Sequence, residues 1–207
     1  MDNKKLKKTI IQTIPSGTSD LRYSVGKGEE LSLVLIASTT SEATVQVRLR
    51  GDGARAVITG IIVARGDTKV TIHTMQIHEA PDTTSDLLIK TVLSDHAKCL
   101  YDGGIRVEKA AQKTDAYQRN ENLLLSGRAY AESKPSLEIL ANDVRCTHGS
   151  TTGPIDPEEL WYLSSRGVAK KAGERLITEG FIQKALMRIE DSGIIDKLWQ
   201  ILSPQLN

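Results

Sequence analysis

Hydrophobic and polar positions alternate along much of this chain with a period of two. Val45, Val47 and Leu49 interleave with Gln46, Arg48 and Arg50, the pattern of a strand with one buried face. Ala54–Ala64 is a second β-rich run, interrupted by Gly60, and Lys69–Ile77 is a third. In Leu87–Leu93 the residues Leu87, Ile89, Thr91 and Leu93 share a face. Shorter runs follow at Ala97–Tyr101, Ile105–Val107, Leu123–Leu125, Gly127–Ala131 and Leu137–Leu140. Turn formers separate them: Gly51-Asp52-Gly53, Arg65-Gly66-Asp67, Pro81-Asp82, Asp102-Gly103-Gly104 and Lys134-Pro135.

After Gly153 the period changes to that of a helix. Asp156 reads as an N-cap, Pro157 as the first helical residue and Glu159 as the third, able to bond back to the cap. Leu160, Leu163 and Trp161 form its expected packed face, and Gly167 closes it. A second helix is expected over Ala169–Ile189, with Ile177, Phe181 and Ala185 in one stripe. Gly193 is expected to end it, and Ile194–Leu202 to form a third helix carrying Leu198 and Trp199. The division that results is an N-terminal segment at 1–28, a β body at 29–153 and a helical domain at 154–207. The helical domain is expected to cap one end of the body.

Composition sharpens this picture. Of 207 residues 39% are hydrophobic, but only 4% are aromatic, and Tyr23 is the sole ring before position 100. Four of the eight rings (Trp161, Tyr162, Phe181, Trp199) fall in the helical domain. The body must therefore build its core from aliphatic and β-branched residues, which suits thin stacked layers. A parallel β-helix fits, each coil burying its inward residues against its neighbours. A sandwich accommodates the same spacing of short strands.

Charge and cysteine usage exclude several function classes. The formal net charge is +1, so there is no broad basic footprint for nucleic acid. The basic cluster Lys4, Lys5, Lys7 and Lys8 reads as a solvated terminus. No apolar stretch reaches about 18 residues, so no membrane span is expected. No secretion signal is visible, and Cys99 and Cys146 read as reduced thiols of a cytoplasmic protein. Phosphate-loop and dinucleotide fingerprints are absent, as is a nucleophile elbow. His73, His78 and His96 read as polar positions on strand faces or corners, and Cys99 as core.

Cys146-Thr147-His148 is the best local candidate for chemistry. At a strand's end, residues two apart point to one side, so thiolate and imidazole can share a soft ion such as iron or zinc. Two ligands are half a site, and a small buried thiol in a strand accounts for Cys146 equally well.

The string from about His78 to Leu186 carries a more specific signal. It includes Ala80-Pro81-Asp82-Thr83-Thr84-Ser85-Asp86-Leu87-Leu88, Gln112-Lys113-Thr114-Asp115-Ala116-Tyr117 and Asn122-Leu123-Leu124-Leu125-Ser126. Lys134-Pro135-Ser136-Leu137-Glu138-Ile139 and Asp143-Val144-Arg145-Cys146-Thr147-His148-Gly149 follow. Ile155-Asp156-Pro157-Glu158-Glu159-Leu160 and Tyr162-Leu163-Ser164-Ser165-Arg166-Gly167 complete the set. In this order the stretches resemble the SufB/SufD family of iron–sulfur cluster assembly scaffold proteins.

That resemblance implies a right-handed parallel β-helix followed by a small C-terminal α-helical domain, and a non-enzymatic scaffold role. It implies two partners. One is a SufC-like ABC ATPase docked on the helices, through Pro157, Glu158, Leu160, Tyr162, Arg166, Gly167 and Phe181. The other is a SufB/SufD-like subunit or a second copy of the chain. It further implies a transient iron–sulfur cluster, none being held stably, with His148 and Cys146 as the candidate cluster or iron ligands. SufB-type members carry a functional cysteine shortly before the Pro-x-Leu-Glu segment, whereas Gly127–Ser133 has none and Ala129 stands near that place. They also carry an acid where His148 stands, so the resemblance is closer to SufD. Typical family chains are longer, with a region preceding the β-helix. Outside this reading stand a self-pairing structural β-helix without cluster chemistry and a carbohydrate-active β-helix enzyme.

Overall fold

A computed structural model describes residues 6–206. The strands are β1 (Lys7–Thr13), β2 (Gly17–Val25), β3 (Glu30–Ala37), β4 (Ser41–Leu49), β5 (Arg55–Ala64) and β6 (Lys69–His78). They continue with β7 (Thr84–Leu93), β8 (Lys98–Val107), β9 (Thr114–Leu124), β10 (Tyr130–Ile139) and β11 (Val144–Pro154). The helices α1 (Pro157–Ser165), α2 (Lys170–Leu186) and α3 (Ser192–Leu202) close the chain, with a last 3₁₀ turn at Ser203–Leu206.

Odd and even strands separate into two sheets. A six-stranded sheet runs β1-β3-β5-β7-β9-β11 and a five-stranded sheet runs β10-β8-β6-β4-β2. Every pairing is parallel. The body is thus a parallel β-solenoid, each coil contributing one strand to either sheet, and the sandwich alternative falls away. Strand structure begins at Lys7, inside the segment set apart at residues 1–28. Lys4 and Lys5 lie outside the described residues. Lys7, expected in a solvated terminus, is paired with Glu30 and Glu190.

Between the sheets lies an aliphatic core that includes Leu33, Leu35, Val45, Val47, Leu49, Ile58, Ile72, Leu87 and Ile89. A second apolar layer lies on the opposite side of the six-stranded sheet. There Val34, Ile36, Ile61, Val63, Leu88 and Val92 face Ile182, Ala185 and Leu186 of α2 and Leu198 and Leu202 of α3. Strands covered on both faces read as continuous apolar runs, which explains Leu31–Ala37 and Ile58–Ala64. The helical domain therefore covers a sheet face and does not cap a solenoid end as expected.

The corners repeat in conformation. Gly28, Gly53, Asp82 and Lys113 all have positive φ (65°, 68°, 57° and 59°). Gly28 N–H donates to Asp52 O at 3.0 Å, Gly53 to Pro81 at 3.3 Å, Asp82 to Gln112 at 2.9 Å and Lys113 to Asp143 at 2.6 Å. Each coil thus hands a left-handed corner amide to the coil above it. Glycine reaches this backbone region without a Cβ penalty, and Asp is among the side chains that enter it more readily than most.

Several local expectations are corrected. Asp102-Gly103-Gly104 and Lys134-Pro135 are not turns but lie inside β8 and β10. A Cβ on Gly103 would stand 2.3 Å from the Tyr101 hydroxyl and 2.4 Å from Gln118 Nε2, so glycine is required there by packing. Pro135 is tolerated because β10 ends its sheet and one of its edges needs no donor. Gly193 does not end α2, which stops at Leu186; it is the second residue of α3, whose N-cap Asp191 accepts from Ile194 N–H.

Candidate functional site

The last coil carries Cys146 and His148. Both lie in β11, Cys146 near its beginning and not at a strand's end. Two residues apart on one strand, they share a face. Cys146 packs against Ile105, Val107, Ala111, Ala116 and Ala141, which turns that face toward the solenoid interior. His148 is exposed and stands beside Gln118 in the parallel register.

Neither β11 nor β10 has a strand on its far side, so both free edges open at the same end. Leu137 and Ile139 of β10, 38% and 40% exposed, border this opening. Behind it the interior turns polar. Gln118 Nε2 donates to Gly103 O at 3.1 Å, and Tyr101 and Thr74 share a hydroxyl bond at 2.9 Å. Asn122 Nδ2 donates to Asn120 Oδ1 at 2.8 Å and to Thr152 Oγ1 at 2.9 Å, while Ser133 bonds Asn120.

Burial pushes the Cys146 thiol above its ordinary pKa, the Asp115 carboxylate adds to this, and the backbone of Ala116 opposes it. Arg145 pairs with that same Asp115, its Nε lying 2.9 Å from Oδ1. These effects together favour the protonated thiol over the thiolate. No group of three or more His, Cys, Asp or Glu side chains able to hold a metal occurs among the described residues. Cys146 and His148 thus bring two potential donor atoms to one face at an open edge.

The second candidate surface lies between α1 and α2. Asp156 accepts from Glu158 N–H at 2.9 Å and Pro157 occupies the first turn, so α1 starts as its sequence predicts. Gly167 ends it at φ 84°. A cavity of about 740 Å³ opens between the helices, floored by Leu123 and Ile155 and walled by Tyr162, Leu163, Phe181 and Lys184. Asp156, Glu158 and Glu159 make its rim acidic. Of the predicted docking residues, Glu158, Tyr162 and Phe181 meet here. Leu160 is half-buried against the second core, and Pro157 lines a neighbouring depression with Trp161. Arg166 lies at the far end of α1, its guanidinium 5.3 Å from the Tyr162 ring centre, with Gly167 behind it.

Trp161 corrects an expectation: it is 73% exposed and not part of a packed face. Lys184 lies on the cavity wall without having been singled out in the sequence, because its place depends on how α1 folds over α2. Phe181 is fixed from below by Lys90, whose Nζ stands 3.8 Å from the ring centre and 2.5 Å from Glu121.

The family described as "SUF system FeS cluster assembly, SufBD core domain" matches residues 19–181. The chain belongs to the SufBD family. It is 31% identical over 160 residues to the iron–sulfur cluster assembly protein SufD of Escherichia coli (strain K12), covering 77% of this chain and 38% of that protein. It is 28% identical over 209 residues to SufD of Bacillus subtilis (strain 168), covering 97% of this chain and 47% of the relative. A SufBD family protein of Synechocystis is 27% identical over 170 residues, 82% of this chain and 38% of its own length. The SufBD chain described here spans less than half the length of these relatives, and its likeness is closer to SufD. No helix among its described residues is long and apolar enough to cross a membrane.

Proposed function

We propose that this chain is a cytoplasmic, non-enzymatic scaffold subunit of a Suf-type iron–sulfur cluster assembly system. In this reading β10 and β11 pair edge-on with a second scaffold subunit, either a longer SufB/SufD-like chain or another copy. Cys146 and His148 then supply two of the ligands that receive iron or a nascent cluster, as cargo passed on and not retained. The groove between α1 and α2 receives a SufC-like ABC ATPase, with Tyr162, Phe181 and the exposed Trp161 offering apolar surface inside an acidic rim.

The observation that carries the reading is the position of the Cys-x-His pair: two metal-compatible donors on one face of a strand whose free edge faces outward. A soft thiolate and a borderline imidazole suit iron in a sulfur-rich setting. A second copy of the same half site would raise the donor set to Cys₂His₂.

Anaerobic reconstitution with ferrous iron, sulfide and a SufC-like ATPase tests it. Wild type is expected to accumulate iron–sulfide absorbance, and Cys146→Ser with His148→Ala to lose most of it while still binding the ATPase. Trp161→Ala with Tyr162→Ala is expected to lose ATPase co-purification and leave the fold intact. Unchanged loading in the first pair removes the ligand assignment; unchanged co-purification in the second removes the docking assignment.

A further inference from the structure

We propose that the connection between α2 and α3, residues 187–191, is an electrostatic latch that fastens the helical domain to the first coil and lets β1 and the tail loosen together. The latch stands apart from the ligand and docking assignments above.

The outer face of the six-stranded sheet is divided. Toward the strand ends it is apolar and carries α2 and α3. Toward the strand beginnings, Lys7, Glu30 and Arg55 are cross-strand partners and form a charged row. Residues 188–191 lie against these charges, around a cavity of about 440 Å³ that they border together with Asp86.

Two links cross this cavity. Arg188, whose side chain is 16% exposed, donates through Nη2 to the main-chain oxygen of Asp86 at 3.0 Å and meets its Oδ2 at 3.0 Å. The other carboxylate oxygen of Asp86 is buried without a hydrogen-bond partner, so Arg188 is the main compensation for a partly desolvated charge. Glu190 meets Lys7 Nζ at 2.5 Å, and Lys7 in turn lies 3.3 Å from Glu30. Arg55 stands 3.9 Å from the same Glu30. The ion pairs therefore run from the tail to β1, β3, β5 and β7.

Two properties make this a latch and not a fixed joint. Glu190 is 79% exposed and Lys7 35%, so their pair is open to screening by salt, and the more buried Arg188–Asp86 pair less so. The apolar contacts of α2 and α3 are not weakened by salt. Among the described residues β1 pairs only with β3, so its hold on the body depends in part on Lys7.

Hydrogen exchange of the full chain, read at about 0.1 M and about 1 M salt where the screening length falls from about 10 Å to about 3 Å, tests the latch. In wild type, exchange over 7–13 and 187–195 is expected to rise together at high salt, by about fivefold or more, while β5 to β9 stay protected. Arg188→Met is expected to show the high-salt pattern at low salt. Glu190→Gln, a change at an exposed position that leaves the core untouched, is expected to loosen β1 in the same way. Equal exchange in wild type and both variants at either salt level overturns the proposal. So does a rise spread evenly over the body strands, which would report general destabilisation.

Discussion

His78 is enclosed at the junction of β6 and β7, with Nδ1 2.8 Å from Thr83 Oγ1 and Nε2 2.9 Å from Ser85 Oγ. Burial lowers its pKa from 6.5 to about 4, so the folded protein holds it neutral. An unfolded chain takes up the proton as pH falls below about 6.5, whereas the folded chain resists until about pH 4. The stabilisation is complete above pH 6.5 and is lost progressively down to pH 4, by up to about 3 kcal/mol. Thermal melts should fall steeply across that window, and His78→Gln should flatten the fall even if it lowers the melting temperature at pH 7. A pH profile identical in wild type and variant would remove His78 as the cause. Such a role was hidden in the sequence, where His78 reads as a polar corner residue. Its hydroxyl partners lie across a turn from it, and Thr114 joins them from the next coil at 3.1 Å from Thr83. The Cys146–His148 pair was legible for the opposite reason, since its geometry needs only one extended strand.

At the scale of elements, local signals were faithful where a segment's own backbone set the outcome and misleading where packing did. The capping of α1 by Asp156 and Pro157 is local, and it stands as its sequence predicts. Gly103 and Gly104 resembled a turn because their reason for being small comes from Tyr101, Gln118 and Met75 on neighbouring positions. The coil repeat leaves no residue pattern because it is a repeat of backbone conformation, occupied in turn by Gly28, Gly53, Asp82 and Lys113. The seating of α2 shows the same dependence on distant residues. Lys90, nearly buried under that helix, is neutralised by Glu121 and covered by Phe181. Desolvation lowers the Lys90 pKa and Glu121 opposes that shift. Removing only the acid strands the ammonium in an apolar layer, so Glu121→Ala should cost about 3 kcal/mol in urea unfolding, and Lys90→Met distinctly less. If Lys90→Met is the more damaging of the two, the ion pair itself holds α2 in place.

For the molecule as a whole, the decisive feature is that the helices lie over a sheet face and leave the β10–β11 end of the solenoid uncovered among the described residues. Helices over the six-stranded sheet leave β10 and β11 with unpaired backbone edges, and half-exposed apolar side chains lie beside them. Leu125, Tyr130, Leu137, Ile139 and Leu140 are between 38% and 49% exposed at this end. An open parallel edge with apolar residues is a template for another strand unless something occupies it. Pro135 within β10 and Pro154 at the end of β11 each remove a single donor there. An isologous pairing of two such ends closes on itself, whereas an end-to-start pairing would propagate without limit. Closed pairing is therefore the state expected of a protein that stays dispersed, and it sets two copies of Cys146 and His148 at one interface. Light scattering of wild type should report a mass that rises from monomer to dimer with concentration and stops there. Leu137→Asp with Ile139→Asp should hold the protein monomeric with an unaltered circular dichroism spectrum, because both side chains already reach solvent. A wild type that remains monomeric at high concentration would mean that this edge waits for a different chain. A mass that grows past the dimer would mean that pairing at this edge does not close on itself.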